Sequence, residues 1–189
     1  SHVDPVWLWD KYEGIDEVVA TFRSACDRLD EYPRLKFSAS SACFYKWVEQ
    51  YAPDVFARIA ALVAAGRWEI VGGWWIQPDA NIPGGESFVR QALLGQRFFQ
   101  REFGCMATVG YNPDTFGHTG TLPQILRKSG ITRYIFMRPM LNEKTPALYW
   151  YKGDEKLLKA ALVKPAKKAV KKTAKKAVKK KAKYSLGVR

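Results

Sequence analysis

The chain has 189 residues, of which 47% are hydrophobic and 14% aromatic, and it carries a formal net charge of +13 at pH 7. That length allows one domain or one domain with a tail, and no apolar run reaches the length of a membrane span, so no membrane partner is expected. The three cysteines form no CxxC pair, which argues against a disulfide framework or a cysteine-based zinc site and favours a cytoplasmic location.

The charge is unevenly distributed along the chain. Residues 1–151 hold 16 basic and 16 acidic side chains, so residues 152–189 carry the whole positive excess, and Tyr184 is the only aromatic residue among them. A sequence rich in apolar and aromatic side chains can build a core, whereas a lysine-rich sequence without them cannot. We therefore expect a folded part followed by a basic tail.

Hydrophobic periodicity predicts alternating helices and strands up to about residue 151. In chain order, the predicted elements are a helix at 15–31, a strand at 35–38, helices at 42–51 and 55–65, a strand at 68–71, a helix at 86–103, a strand at 108–111, a helix at 122–128, and strands at 134–137 and 148–150. Gly66, Gly104 and Gly130 follow three of the helices, where glycine favours helix termination. The repeated strand–helix units indicate an α/β fold with a parallel sheet covered by helices.

Chemically notable residues follow several of the strand patterns. They are His2 and Asp4, the segment 74–79, Asp114, and Arg138. In parallel α/β folds the functional site collects at the carboxyl ends of the strands. We therefore expect these residues to lie along one edge of the sheet.

From Lys164 onward the sequence is of low complexity. The segment 166–172, Ala-Lys-Lys-Ala-Val-Lys-Lys, is repeated identically at 174–180. Ala and Lys favour helix, but dense like charge opposes helix formation in free solution. We expect disorder that becomes helical on a polyanion.

Two short motifs combine histidine with acidic residues. In the first, at residues 2–7 (His-Val-Asp-Pro-Val-Trp), the imidazole and the carboxylate are two residues apart, so on a strand they point to the same side. The second, at residues 112–118 (Asn-Pro-Asp-Thr-Phe-Gly-His), adds a carboxylate before a Gly/aromatic turn. Mixed nitrogen and oxygen ligands suit a divalent ion such as zinc. Together the motifs indicate one metal-centred active site.

These motifs occur with two others in an order that resembles a known enzyme family. The four tracts, at residues 1–7, 73–83, 84–91 and 110–118, read SHVDPVW, GWWIQPDANIP, GGESFVRQ and GYNPDTFGH. They resemble the N-terminal catalytic domain of family 38 glycoside hydrolases, the zinc-dependent retaining α-mannosidases, and residues 135–139 are similar to the bacterial branch. The resemblance extends over residues 1–158 and implies an incomplete (β/α) barrel there. The remaining residues, 159–189, are the basic tail, which the composition predicts to be disordered or helical.

The resemblance also implies a role for each matching residue. His2, Asp4 and Asp114 would be zinc ligands, and Asp114 would also be the nucleophile that attacks the sugar. Zinc beside the nucleophile would hold adjacent hydroxyls of an α-mannoside oligosaccharide or glycan. Two aromatic faces would stack on the sugar, and a guanidinium would donate hydrogen bonds to substrate or to the surroundings of the nucleophile. These substrate-binding residues would be Trp7, Phe116 and Arg138.

The sequence departs from the family in several respects. The family's fourth zinc ligand is a histidine far downstream, whereas the histidines here are His2 and His118, and His118 matches a motif position that is not a ligand. The family's general acid also lies downstream of the part represented. Because the chain opens on Ser1 rather than Met, we expect a fragment of a longer enzyme. Without the downstream histidine we expect three protein ligands for one zinc ion, and without the downstream acid we expect impaired hydrolysis.

Two alternative functions stay open at this point. One is a metal-dependent polysaccharide deacetylase-like enzyme that uses zinc-bound water. The other is a nucleic-acid-binding protein, because the tail resembles those of linker-histone-like proteins and would contact DNA or RNA phosphates without base readout. Its candidate contacts are Lys167, Lys168, Lys171, Lys172, Lys175 and Lys176. A tail without function, arising from a read-through, frameshift or chimeric end, is the competing interpretation.

Four residues inside the motifs have structural interpretations beside functional ones. Trp74 and Trp75 are expected in the core rather than as a platform for sugar. Glu86 is expected as the carboxylate that a helix N-terminus favours. Asp79 either orients the site or caps the loop before Pro83, and the sequence does not decide between these two interpretations.

Overall fold

The structure, a computed structural model, describes residues 1–138 and the strand at 149–152. All of them belong to one compact unit, Ser1–Gly153. The domain boundary at residue 158, the basic tail and its six candidate nucleic-acid-binding lysines lie outside the described residues and stay predictions. No helix in the described part of the chain combines the length and apolar character needed to cross a membrane.

The described residues contain five helices and five strands. In chain order they are α1 (Lys11–Glu31), β1 (Phe37–Ala39), α2 (Ala42–Tyr51), α3 (Pro53–Ala64), β2 (Trp68–Ile70), α4 (Gly85–Phe103), β3 (Val109–Asn112), α5 (Leu122–Lys128), β4 (Arg133–Phe136) and β5 (Tyr149–Lys152). The helices predicted at 42–51 and 122–128 have the observed ends. Each of the other predicted elements is present and differs by a few residues at its ends.

Helix α1 begins earlier than predicted because Asp10 caps it. The Asp10 carboxylate accepts hydrogen bonds from the backbone N–H groups of Tyr12 and Glu13, at 2.7 and 3.1 Å. In return, the Glu13 carboxylate accepts from the Asp10 N–H at 3.0 Å. This reciprocal pair satisfies N–H groups that have no partner within the helix. The helix therefore starts at Lys11, four residues before its apolar periodicity becomes visible.

The strands form a largely parallel arrangement, as predicted. β1 pairs with β2 and β3 pairs with β4 in parallel register. The Gly72 N–H, just after β2, donates to the Val109 carbonyl over 2.7 Å and so connects the two pairs. The last strand departs from the prediction, because β5 is antiparallel to β4. Antiparallel neighbours need no crossover helix between them, so the prediction from repeated strand–helix units does not extend to this strand. The described strands do not close into a barrel.

The first motif does not lie on a strand, and that prediction was wrong. Residues 1–10 contain bends and no strand. Pro5 offers no backbone N–H for a strand ladder, and the chain must turn here to enter α1. The segment nevertheless starts beside the sheet, since the Ser1 amino group donates to the Ser38 carbonyl in β1 over 2.6 Å.

The main core lies between the helices and the first two strands. At its centre Tyr45 of α2 and Trp68 of β2 are 0% and 2% exposed. The Trp68 indole N–H donates to the Tyr45 hydroxyl over 2.9 Å, and that hydroxyl donates to the Ala39 carbonyl over 3.0 Å. Both polar groups are thereby satisfied inside the core. The chain of bonds fixes α2 against β1 and β2, so the loops that follow these strands start from a rigid base.

Candidate active site

Two loops at the carboxyl ends of β2 and β3 run side by side. We name residues 73–82 the tryptophan loop and residues 112–119 the aspartate loop. At the start of both, the Trp74 indole N–H donates to the Asn112 side-chain oxygen over 2.9 Å. Trp74 is 0% and Asn112 1% exposed, so this bond is shielded from water. It ties the base of one loop to the base of the other.

Four more hydrogen bonds join the far halves of the two loops. One runs from Thr115 Oγ1 to the Pro78 carbonyl at 3.3 Å. The other three run from the Ala80 N–H to Thr115 Oγ1 at 3.0 Å, from Asn81 Nδ2 to the Phe116 carbonyl at 2.9 Å, and from the Thr119 N–H to the Ala80 carbonyl at 2.7 Å. Gly117 lies among these contacts with φ at +107°, and a Cβ there would lie 2.1 Å from Asn81 Nδ2. Glycine is the residue that tolerates both the backbone angle and the close approach.

Asp114 lies in the middle of the aspartate loop and contacts Arg138, which follows β4. Arg138 Nε is 2.5 Å from Asp114 Oδ1, with the two side chains 45% and 30% exposed. The buried Oδ1 accepts no hydrogen bond of standard geometry, so the contact is an ion pair rather than a directed hydrogen bond. The Arg138 guanidinium also lies over the Phe116 ring, 4.4 Å from its centroid. The structure thus brings together three residues that the sequence assigned to the site.

His118, the last residue of the motif, contacts β4 and the backbone of Arg138. Its Nδ1 lies 3.1 Å from the Tyr134 hydroxyl, and its Nε2 forms a short contact with the backbone carbonyl of Arg138. The ring also packs edge-on against Phe136, with centroids 4.7 Å apart. Burial lowers the pKa of the His118 imidazole, and the bond to the Arg138 carbonyl opposes that shift. These contacts agree with a supporting role rather than a ligand role.

His2 and Asp4 are together in space. His2 Nε2 lies 3.3 Å from Asp4 Oδ1, and the Trp9 indole N–H donates to the Asp4 carbonyl over 3.2 Å. An imidazole nitrogen and a carboxylate oxygen are a donor set that zinc accepts. Within the described residues, however, no group of three or more His, Cys, Asp or Glu side chains is arranged to hold a metal ion. The structure therefore assembles two of the three predicted ligands and leaves Asp114 with Arg138.

The two aromatic residues predicted to line the sugar subsite are accessible. Trp7 is 65% and Phe116 69% exposed, which is unusual for such large apolar side chains. Trp7 rests edge-on against Trp9 with ring centroids 5.4 Å apart. Exposed aromatic faces suit stacking against the C–H surface of a sugar, so both residues remain candidates for substrate contact.

Structural roles were also considered for four residues of the motifs, and their contacts show which of these roles they have. Trp74 is buried, as expected for core, and the partly buried Trp75 packs edge-on against Phe98 at 6.1 Å. The Asp79 carboxylate accepts from the N–H groups of Ile82 and Asn81, at 2.9 and 2.8 Å, and these bonds lower its pKa. Asp79 therefore caps its loop. Glu86, in the first turn of α4, pairs with Arg90 at 2.9 Å.

The sequence interpretation missed the residues that hold the two loops together. Asn112 and Thr115 flank Asp114 in the second motif, but neither was given a role. Both are buried polar residues, at 1% and 3% exposed, and buried polar side chains are usually hydrogen-bonded. The available signal was a polar residue, Asn112, between the apolar residues of β3 and Asp114. It does not reveal the partner, because the tryptophan loop lies more than thirty residues earlier in the chain.

Comparison with known solved structures supports the architecture. An α-mannosidase from Enterococcus faecalis V583 superposes with a TM-score of 0.66 at 26% identity, covering 72% of this chain and 15% of that one. A 4-α-glucanotransferase from Thermococcus litoralis superposes with a TM-score of 0.57 over 82% of this chain and 27% of that one. At 20% identity, the second likeness concerns the fold alone.

Comparison with known sequences gives the family. Alpha-mannosidase G of Dictyostelium discoideum is 40% identical over 141 residues, which are 75% of this chain and 13% of that protein. Alpha-mannosidase 2C1 of Homo sapiens is 37% identical over 141 residues, 75% of this chain and 14% of that protein. This chain thus spans about a seventh of such relatives or less. The family described as glycosyl hydrolases family 38 N-terminal domain matches residues 1–185, which extends past residue 158. The chain therefore belongs to glycosyl hydrolase family 38, within its N-terminal domain.

Proposed function

We propose that this chain is part of an α-mannosidase that cleaves α-mannosides with retention, and that Asp114 is its nucleophile. The observation that carries the proposal is the Asp114 carboxylate, 2.5 Å from the Arg138 guanidinium on a loop that several hydrogen bonds brace. The family membership and the relatives named α-mannosidases support the choice of mannose over other sugars. They also favour a glycosidase over the deacetylase-like alternative.

The residues fit the first half of a retaining reaction. A carboxylate oxygen of Asp114 would form an ester with the anomeric carbon while the glycosidic C–O bond breaks. The leaving oxygen takes a proton from a second carboxyl group, and water later cleaves the ester to restore the original configuration. Arg138 would orient the Asp114 carboxylate for attack. The exposed faces of Trp7 and Phe116 would stack on the sugar.

We further propose that the site takes one zinc ion, with His2 and Asp4 as ligands and Asp114 as the third. The support is the 3.3 Å contact between the His2 and Asp4 side chains and the buried Asp114 oxygen that lacks a hydrogen bond of standard geometry. When bound, zinc would supply a positive centre that holds neighbouring sugar hydroxyls and polarises them.

An activated substrate tests the nucleophile. α-Mannosyl fluoride needs no general acid for departure of its leaving group, so the result does not depend on the residue that supplies that proton. We expect fluoride release by the wild-type chain, α-mannose as the first product by NMR, and a loss of at least about 10⁴-fold in Asp114→Asn. Asp16→Asn, which changes an exposed carboxylate on α1, is the matched control and should keep full turnover. The proposal is contradicted if β-mannose is the first product, or if turnover in Asp114→Asn is unchanged.

Zinc binding is measured separately from activity. Titration of the metal-free chain with zinc in the presence of a chromophoric chelator should give one site per chain. His2→Ala and Asp4→Asn should each weaken zinc binding by about 10-fold or more, since each removes a proposed ligand. Asp16→Asn should leave it unchanged. Equal zinc affinity in all four proteins would show that the ligands lie elsewhere.

Two broader assignments belong with this proposal. We propose that the described strands are part of a (β/α) barrel, because β1 to β4 form two parallel pairs and β1, β2 and β3 are each followed in the chain by a helix. We propose a cytoplasmic location from the unpaired Cys26, Cys43 and Cys105.

A further inference from the structure

Arg138 contacts the aspartate loop at three alternate residues. Its Nε lies 2.5 Å from Asp114, its guanidinium carbon lies 4.4 Å from the centroid of the Phe116 ring, and its backbone carbonyl contacts His118 Nε2. The first two contacts hold the side chain, whereas the third holds the backbone from which that side chain projects. His118 is therefore the group on this loop that fixes where the Arg138 side chain begins.

The hydrogen bonds of His118 define which ring nitrogen carries the proton. A backbone carbonyl can only accept, so Nε2 must carry a hydrogen and donate it to the Arg138 carbonyl. Nδ1 is then the acceptor in the neutral ring, and the Tyr134 hydroxyl donates to it over 3.1 Å. Tyr134 is 3% exposed on β4, so its hydroxyl has little freedom to choose another partner. The second ring nitrogen is thus satisfied by a group on the sheet itself.

The His118 ring is also held by packing. It meets the Tyr134 ring edge-on at 5.6 Å and the Phe136 ring at 4.7 Å between centroids. Both rings belong to β4, the strand that ends two residues before Arg138. Two ring contacts and two hydrogen bonds leave the imidazole one orientation, in which its Nε2–H faces the Arg138 carbonyl.

We propose that His118 is a positioning residue, which holds the backbone of Arg138 so that the guanidinium stands against Asp114. This inference rests on the proposed function, because it takes Asp114 as the nucleophile. His118 touches neither substrate nor the reacting atoms in this role. Its contribution is to keep Arg138 from swinging away from the carboxylate when the site is empty or when a sugar enters.

The amide side chains of Gln and Asn separate this role from simple packing. Gln at position 118 can place an N–H near the position of Nε2, whereas Asn reaches only as far as Nδ1 and cannot donate to the Arg138 carbonyl. His118→Gln should therefore retain the arrangement, and His118→Asn and His118→Ala should lose it. Gln and Asn have similar polarity, so their comparison decides the question even if His118→Ala fails to fold. Thr119→Ala, whose side chain contacts only Thr121 Oγ1 among the described hydrogen bonds, is the control from the same loop.

The main readout does not require turnover. The NMR signal of the Arg138 Nε–H, assigned by its loss in Arg138→Lys, reports the ion pair with Asp114, because a guanidinium held against the loop is shielded from solvent and its N–H exchanges more slowly. We expect exchange about 10-fold faster in His118→Asn than in wild type, as for loss of the hydrogen bond between His118 and the Arg138 carbonyl, with His118→Gln close to wild type. Where α-mannosyl fluoride is turned over, kcat should fall in His118→Asn with little change in KM.

The outcomes are separable. Equal exchange of the Arg138 Nε–H in wild type, His118→Gln and His118→Asn overturns the inference. So does equal loss in the Gln and Asn variants, because a purely structural role would not depend on the donor at Nε2. A wild-type chain that shows the protected signal but no turnover would count against the proposed function while leaving the positioning role supported.

Discussion

Because Trp74 and Asn112 share a buried hydrogen bond, the effect of Asn112→Leu on the free energy of unfolding should depend on whether Trp74 is present. The two side chains are 0% and 1% exposed and are joined over 2.9 Å. The other end of the Asn112 amide, Nδ2, is buried and has no hydrogen-bond partner among the described residues. Asn112 therefore contributes one satisfied and one unsatisfied polar group to the base of the aspartate loop.

These two groups set the expected magnitudes. Asn112→Leu alone removes the acceptor of the indole N–H, which costs about 1–3 kcal/mol, but it also removes an unsatisfied donor of similar cost, so the net change should stay within about 1 kcal/mol. Trp74→Phe leaves both ends of the amide unsatisfied at a further cost of about 1–3 kcal/mol, and roughly 40 Å³ of lost volume adds about 1 kcal/mol. In that background Asn112→Leu removes two unsatisfied groups and should restore at least about 2 kcal/mol.

Unfolding in urea, followed by far-UV circular dichroism, measures the free energy of unfolding for wild type, both single variants and the double variant. We expect a coupling of about 2 kcal/mol between the two positions. Gln124→Leu, an exposed change on α5, replaces Asn112→Leu in a control cycle and should be additive with Trp74→Phe. If Asn112→Leu changes stability equally in both backgrounds, within about 0.5 kcal/mol, the reasoning from unsatisfied groups is refuted.

Three further predictions follow from other features. Gly117→Ala places a Cβ 2.1 Å from Asn81 Nδ2 at a φ of +107°, so thermal unfolding should show a loss of about 1–3 kcal/mol, whereas Gly120→Ala, in open space, should not. Burial raises the pKa of Tyr45 above its value in the unfolded chain. The protonated phenol therefore contributes fully to stability below about pH 10, and this contribution is lost as the pH rises further. Absorbance at about 295 nm should show fewer phenolates in the folded chain than in urea at the same pH. Burial raises the pKa of Cys26 and of Cys43 to about 11, so iodoacetamide near pH 8 should modify them much more slowly than in the unfolded chain; equal rates would contradict their burial.

Periodicity and glycine positions predicted the helices well because both act locally. The ends of α2 and α5 coincide with the predicted ones, and Gly104 takes the left-handed conformation that ends α4. The start of α1 was missed because the Asp10–Glu13 capping box lies ahead of the apolar pattern. The antiparallel direction of β5 was missed because strand direction depends on the neighbouring strand and the connection to it. The residues of β5 themselves indicate neither.

The candidate site was predictable in its residue types and less so in its contacts. Asp114 and Arg138 each follow a strand, and the rule that sites lie at carboxyl ends places them near each other. The contact of His2 with Asp4 was expected from spacing on a strand, and it occurs on a bent segment instead. The link between His118 and Arg138 joins residues twenty positions apart and could not be read from either motif.

The tryptophan loop and the aspartate loop share five hydrogen bonds. The early residue Trp74 pairs with the early residue Asn112, and residues 78–81 pair with residues 115–119. This order constrains how the gene can change in length. An insertion or deletion in either loop would shift every later contact out of step with the other loop, whereas a compensating change of the same size in both would preserve the pairing. Related genes should therefore keep the lengths of these two segments fixed or alter them together, and length variation should fall in connections outside them, such as residues 32–36 between α1 and β1.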